Sequence, residues 1–284
     1  MRQTLPPDQA GQSNWLVETP DGARLYVSET GAGRPLLLVH GWTMSRRYWQ
    51  HQSKGLAGCA RVVTPDLRGH GNSTKVLHGH TVPQYARDLH QVVEDLELTD
   101  FVLVGWSLAG PVVLEYLASY GTTGVAGLGL VEASPFPFSP AAWNTHALAG
   151  YNYPGMHALF HRLTTDREAF GRDLVHGMRH GGRAPDPDLA WMLAEHLTCP
   201  SEVARAIYAD YLTRDYTALL PRLDLPVLVV AGHSQTICFG PPTADYLAQA
   251  IPGARRVILE RSGHMPFYEE PAAFNQALQY LLKI

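Results

Sequence analysis

Short apolar runs and amphipathic runs alternate along most of this 284-residue chain. Residues 35–39, 61–64, 101–104, 126–131, 226–230 and 255–259 are β-rich and mostly apolar, the pattern of strands covered on both faces. Between several of them the period becomes helical. Residues 82–96 set Tyr85, Leu89, Val92, Val93 and Leu96 on one stripe, and residues 243–251 and 271–282 behave alike. Strand, helix, strand in alternation predicts an α/β fold with a mostly parallel sheet and right-handed crossovers. Ahead of these runs, residues 15–18 and 23–28 flank the turn dipeptide Asp21-Gly22, which predicts an antiparallel hairpin.

Two stretches depart from the alternation. Residues 1–13 are polar and aperiodic and read as a flexible tail, with order beginning near Trp15. Residues 136–222 carry helical segments such as 157–163 and 187–197, rich in histidine and aromatics, with no strand pattern. An insertion of that size predicts a helical cap, with residues 14–135 and 223–284 as the core. Ligands of parallel α/β sheets lie at the carboxyl ends of the strands, so the cap would roof the site. Aromatic and imidazole side chains such as Trp143, His146, Trp191, His196 and Tyr208 are expected mostly to pack it, a minority lining an apolar pocket.

Candidate chemistry starts where residues 102–104 pass through Gly105-Trp106-Ser107-Leu108-Ala109-Gly110 into a helical run. So tight a strand-to-helix turn admits only small neighbours, lifts the serine hydroxyl above the sheet and aims the next amide at the reacting carbon. The second glycine arrives one residue late, and Ala109 is small enough to serve. Ser107 is thus the candidate nucleophile. A serine hydroxyl needs a base and donors for the developing oxyanion. His264, in a glycine-containing loop after the last strand, is the candidate base. The amides of Trp42, in His40-Gly41-Trp42, and of Leu108 are the candidate oxyanion donors. His40 itself reads as a brace for that loop, and Asp66, Arg68 and His70 as braces of the site's floor.

Composition narrows the partners. A hydrophobic content of 45% suffices for a large buried core, and the net charge of −4 is spread without a basic stripe or acidic tract. Nucleic acid is therefore not expected, and neither is a membrane, since no run approaches the roughly 20 apolar residues of a span. The expected partner is a small molecule, and a homodimer is compatible with this. Three cysteines at unrelated spacings (Cys59, Cys199, Cys238) and an amino terminus without an apolar signal core point to a cytoplasmic protein without a disulfide framework. His70, His78 and His80 fall in a glycine-rich loop rather than at helical spacing, so no metal is expected, nor any cofactor.

His40-Gly41-Trp42, the run from Asp66 to Ser73, the Ser107 turn and Ser262-Gly263-His264, in that order, resemble the α/β-hydrolase superfamily from about residue 15 onward. The likeness is closest to its esterase, lactonase and cofactor-free haloperoxidase-like branches. It implies an eight-stranded, mostly parallel sheet and a cap over the pocket. Most members place an acid after the seventh strand; here the corresponding loop carries Gln235, and an amide cannot balance an imidazolium. The resemblance directs attention to Glu132, at the end of the sixth strand, because some branches carry their acid there. Glu132 is therefore the candidate acid and Gln235 its alternative.

These residues imply a serine hydrolase cleaving a carboxylic ester or lactone of a largely apolar molecule through an acyl-enzyme. The rivals are a cofactor-free haloperoxidase or perhydrolase, a carbon–carbon bond hydrolase, and a weakly catalytic ligand receptor.

Overall fold

The computed structural model describes residues 2–7, 11–233 and 239–283. Among them nine strands join in one sheet: β1 (Arg2–Leu5), β2 (Gln12–Glu18), β3 (Arg24–Thr30), β4 (Arg34–Val39), β5 (Ala60–Pro65), β6 (Phe101–Trp106), β7 (Val125–Val131), β8 (Val227–Gly232) and β9 (Arg255–Leu259). Their order is β1-β2-β3-β5-β4-β6-β7-β8-β9. The pairs from β5 onward are parallel, while β1, β2 and β3 attach antiparallel at one side.

Strands β4 to β8 are buried on both faces almost throughout, as their runs predict, whereas β9 at the sheet edge is not: Arg255 and Arg256 are exposed and only Leu259 is buried. Side chains alternate along a strand, so Leu36 and Leu38 of β4 enter one core while Leu37 and Val39 enter the other. One core is closed by α2 (Val82–Asp95), α3 (Ala109–Tyr120) and α8 (Gly240–Ala250). The opposite core is closed by α1 (Gln50–Gly55), α9 (Pro266–Glu269) and α10 (Pro271–Leu282), whose Phe267, Phe274 and Leu278 are wholly buried. Helix α2 begins where Thr81 caps it, the hydroxyl accepting the Gln84 amide at 3.3 Å, and its predicted stripe of Tyr85, Leu89, Val92 and Val93 faces inward.

The sheet differs from the expected eight strands by one, and the difference falls in the predicted flexible tail. Arg2–Leu5 pairs antiparallel with β2, from Arg2 opposite Val17 to Leu5 opposite Asn14. The Arg2 guanidinium lies over the Trp15 ring, and the Asn14 side-chain amide donates to the Pro6 carbonyl. No apolar period marks β1, because its side chains are almost all exposed and its pairing is made by backbone groups at a sheet edge.

Between β7 and β8 the chain is helical: α4 (Tyr153–Thr165), α5 (Arg167–Met178), α6 (Asp186–Thr198) and α7 (Ser201–Thr213), with no strand among the described residues. None of the described helices is long and apolar enough to cross a membrane.

Candidate active site

The turn from β6 to α3 is held open by backbone contacts. Ser107 has a φ of 58°, a conformation that costs a non-glycine residue about 1–3 kcal/mol. Its amide donates to the Val131 carbonyl at 2.9 Å, and its carbonyl accepts the Gly110 amide at 2.8 Å. Gly105 is required here, since an added Cβ would collide with the Ala109 carbonyl oxygen. Ala109, where a second glycine was expected, is buried as the first residue of α3. The Ser107 side chain is thereby presented at the floor of a cavity of about 310 Å³, which is also lined by Trp42, Leu108, His264 and side chains of α4, α5 and α7.

His264 is fixed from three sides. Its amide donates to the Met178 carbonyl at the end of α5 (2.8 Å), its carbonyl accepts the Trp106 indole N–H (2.8 Å), and its Nδ1 meets Glu132 Oε2 at 3.1 Å. Both side chains are nearly inaccessible to water, at 6% and 1% exposure, so the contact is little screened. Glu132 leaves the end of β7 with a φ of 45°, its amide held by the Val230 carbonyl. Its Oε1 accepts the Gly232 amide at 2.8 Å, and its Oε2 is 3.5 Å from the Gly240 amide. A carboxylate that accepts backbone N–H groups is held in one orientation. Gln235, the alternative to this acid, lies outside the described residues, as does Cys238.

Across the cavity floor, the loop after β4 is set by His40. The Leu67 amide donates to His40 Nε2 at 3.0 Å, so the single ring proton is on Nδ1, which donates to the Gly41 carbonyl at 2.8 Å. Burial drives the His40 pKa down to about 4, which keeps this neutral tautomer. The Gly41 carbonyl and the Trp42 N–H share one trans peptide and point in opposite directions. Tying the carbonyl toward His40 therefore turns the Trp42 N–H away from that ring. Among the described residues neither the Trp42 nor the Leu108 amide donates to another protein group. At Gly41 the backbone passes close to the nucleophile turn: a Cβ there would stand 3.1 Å from the Ser107 Cβ, a tight contact that Ser107 would have to relieve by a small shift.

The remaining polar candidates lie outside the cavity lining and are tied up in contacts of their own. Asp66 accepts the Arg46 and Asn72 amides, and Arg68 bridges Asp88 and Asp21 from a fully buried position. His70 Nδ1 is bonded to the Arg68 carbonyl, His80 to Tyr85 and the Val76 carbonyl, and His78 lies by Asp21, so these three imidazoles diverge. Among the described residues no group of three His, Cys, Asp or Glu is placed to hold a metal ion.

Of the aromatic and imidazole groups between β7 and β8, His146, Phe170, Tyr208 and Tyr211 line the cavity, while Trp143 stacks on Tyr246 and Trp191 packs on Tyr48 away from it. The Leu148 amide donates to His146 Nδ1, so His146 Nε2–H donates to the Tyr208 hydroxyl at 3.2 Å. Burial, aided by the field of His264, pushes the His146 pKa down to about 3. It therefore acts as a neutral donor and not as a second base. Leu159, Phe170 and Leu174, which line the walls, carry no sequence signal separating them from ordinary helix packing.

The family model described as "Alpha/beta hydrolase family" matches residues 36–277. The non-heme chloroperoxidase CPO-A1 of Kitasatospora aureofaciens is 30% identical, over 88% of this chain and 91% of its own. The solved esterase of Exiguobacterium antarcticum superposes with a TM-score of 0.86 at 25% identity, covering 95% of this chain and 99% of its own. The bromoperoxidase of Bacillus anthracis does so with a TM-score of 0.87 at 25% identity, covering 96% and 100%. From the Ser107 turn, the sheet order and these likenesses together, the chain belongs to the alpha/beta hydrolase family.

Proposed function

We propose that this protein is a serine-dependent hydrolase of carboxylic esters or lactones of largely apolar small molecules. The observation that carries the reading is the 3.1 Å contact of Glu132 with Nδ1 of His264, which lines the same cavity as Ser107. With the proton held on Nδ1, Nε2 is left to take the proton of Ser107 as its oxygen attacks the carbonyl carbon. The oxyanion then receives the Trp42 and Leu108 N–H groups. His264 returns its proton to the leaving oxygen, and the acyl group on Ser107 is released by water. Glu132 balances the imidazolium throughout. Residues 136–222 act as the cap, with 14–135 and 223–284 as the core, and the apolar walls select the acyl or ring portion of the substrate.

A panel of p-nitrophenyl esters and lactones tests this with wild type and Ser107→Ala. Serine-dependent turnover supports the reading. Ligand binding without cycling in single-turnover measurements would replace it with the receptor alternative.

The likeness to a chloroperoxidase and a bromoperoxidase favours a second reading on the same residues. Hydrogen peroxide in place of water would release the acyl group as a peracid, which then oxidises halide. Halogenation of a probe with acetate and peroxide, absent in Ser107→Ala, distinguishes it from simple hydrolysis.

A further inference from the structure

The loop that presents the Trp42 amide is fastened to the helices above it as well as to the core below. The Trp42 indole N–H donates to the Ala204 carbonyl of α7 at 2.8 Å. The next residue, Thr43, has a φ of 57°, a strained conformation for a β-branched side chain. Its hydroxyl donates to the Trp42 carbonyl at 2.7 Å and lies 2.8 Å from Nδ1 of His196 on α6. A hydroxyl has one proton. With that proton on the Trp42 carbonyl, the imidazole must be the donor, which places its single hydrogen on Nδ1.

The surroundings of His196 agree with that assignment. The side chain is fully buried, and Nε2 has no hydrogen-bond partner among the described residues. A buried acceptor without a partner is tolerated better than a buried N–H without one, so the tautomer carrying its hydrogen on Nδ1 is preferred. Burial pushes its pKa down to about 3, which keeps the ring neutral. A buried imidazole that gives up one polar atom in order to hold a strained threonine has a positional role.

We propose that His196 is a positioning residue for the oxyanion site: acting through the Thr43 hydroxyl, it holds the peptide that follows Trp42 and so fixes the Trp42 backbone, keeping the N–H of the preceding peptide directed into the cavity. The inference rests on the ester-hydrolase reading above. It makes α6, which contributes no reacting group, a determinant of transition-state binding. The two peptides flanking Trp42 are then clamped from opposite sides, Gly41 C=O by His40 below and Trp42 C=O by Thr43 and His196 above. Loss of the upper clamp leaves substrate binding intact and loosens the donor that the oxyanion needs.

The test compares His196→Phe, His196→Asn, Thr43→Val and Thr43→Ser with wild type on p-nitrophenyl butyrate, with thermal unfolding measured alongside. His196→Phe and Thr43→Val are expected to lower kcat about tenfold or more with KM within about twofold, since donor placement acts on the transition state. Asparagine offers an N–H near the place of Nδ1, and His196→Asn is expected to restore kcat to within about threefold; Thr43→Ser is expected to do the same. The double variant His196→Phe/Thr43→Val should lose no more than the worse single variant, because both remove one link. Unchanged kcat in folded His196→Phe overturns the proposal, as does equal loss in the Asn and Phe variants in step with their melting temperatures. A wild type without serine-dependent turnover overturns the hydrolase reading and this inference together, whereas wild-type turnover with an indifferent His196 overturns this inference alone.

Discussion

Glu132 and Gly232 join neighbouring strand ends through a hydrogen bond of 2.8 Å from the glycine amide to the carboxylate. The Glu132 carboxylate at the end of β7 is thus anchored by the end of β8, the strand after which the resemblance led one to expect the acid. Glu132→Gln keeps the shape but removes the charge that balances the imidazolium. It is expected to lower kcat by about 10³–10⁴ with little change in KM. Gln235→Ala should stay within a few-fold of wild type. Steady-state kinetics of the two variants decide the assignment, and the reverse pattern transfers the acid's role to Gln235.

Gly105 sits where β6 and α3 nearly touch. In Gly105→Ala the new Cβ meets the Ala109 carbonyl, and backbone at a helix start gives way poorly. The expected destabilisation is about 2–4 kcal/mol, read from urea unfolding, with turnover falling because Ser107 shifts. Full stability and full turnover together would contradict the described turn.

Acid should destabilise the fold through its neutral histidines. His40 is pushed down to about 4 and His146 and His196 to about 3, in each case chiefly by burial. In the unfolded chain such groups protonate near 6.5. Below that pH the unfolded state binds more protons than the folded one, so stability is complete above about 6.5 and is lost as pH falls toward the folded values. Each residue contributes about 1.4 kcal/mol per pH unit inside that window. The urea midpoint is expected to drop steeply from pH 6.5 to 5. His196→Asn should make that slope shallower by about one proton, and an unaltered slope would show that His196 is not buried neutral.

The walls of the cavity set its length. Leu159 of α4 and Leu174 of α5 both line it. Leu174→Trp is expected to raise KM for p-nitrophenyl octanoate about tenfold while leaving p-nitrophenyl acetate within about twofold. Equal effects on the two esters would place the acyl chain elsewhere.

The middle of the sheet was legible in the sequence because its strands are covered on both faces, and a short unbroken apolar run such as residues 101–104 fits a buried sheet better than a half-exposed helix. Ser107, His264 and the His40 loop were legible for a different reason. Tight turns and close backbone approaches restrict residue type locally, and the marks they leave stand next to each other in the chain. Strand β1 escaped, since a pairing made by backbone groups imposes nothing on exposed side chains. The contact between His196 and Thr43 escaped as well: the partners are 153 positions apart, and neither imidazole nor hydroxyl is unusual where it stands. Glu132 was found through a family pattern, while the two amides that hold it belong to glycines whose identity says nothing about a carboxylate.

The bond from the His264 amide to the Met178 carbonyl has a consequence for how such a chain can change its substrate. Cavity-lining residues of α4 and α5 such as Leu159 and Leu174 can be exchanged for others of different bulk without touching this bond, because it is made by main-chain atoms alone. The main-chain path at the end of α5 is not free, since one carbonyl oxygen there holds the loop that carries His264. Diversification over this scaffold is therefore expected to proceed by repainting the ceiling and to stall whenever a deletion or insertion moves its last beam.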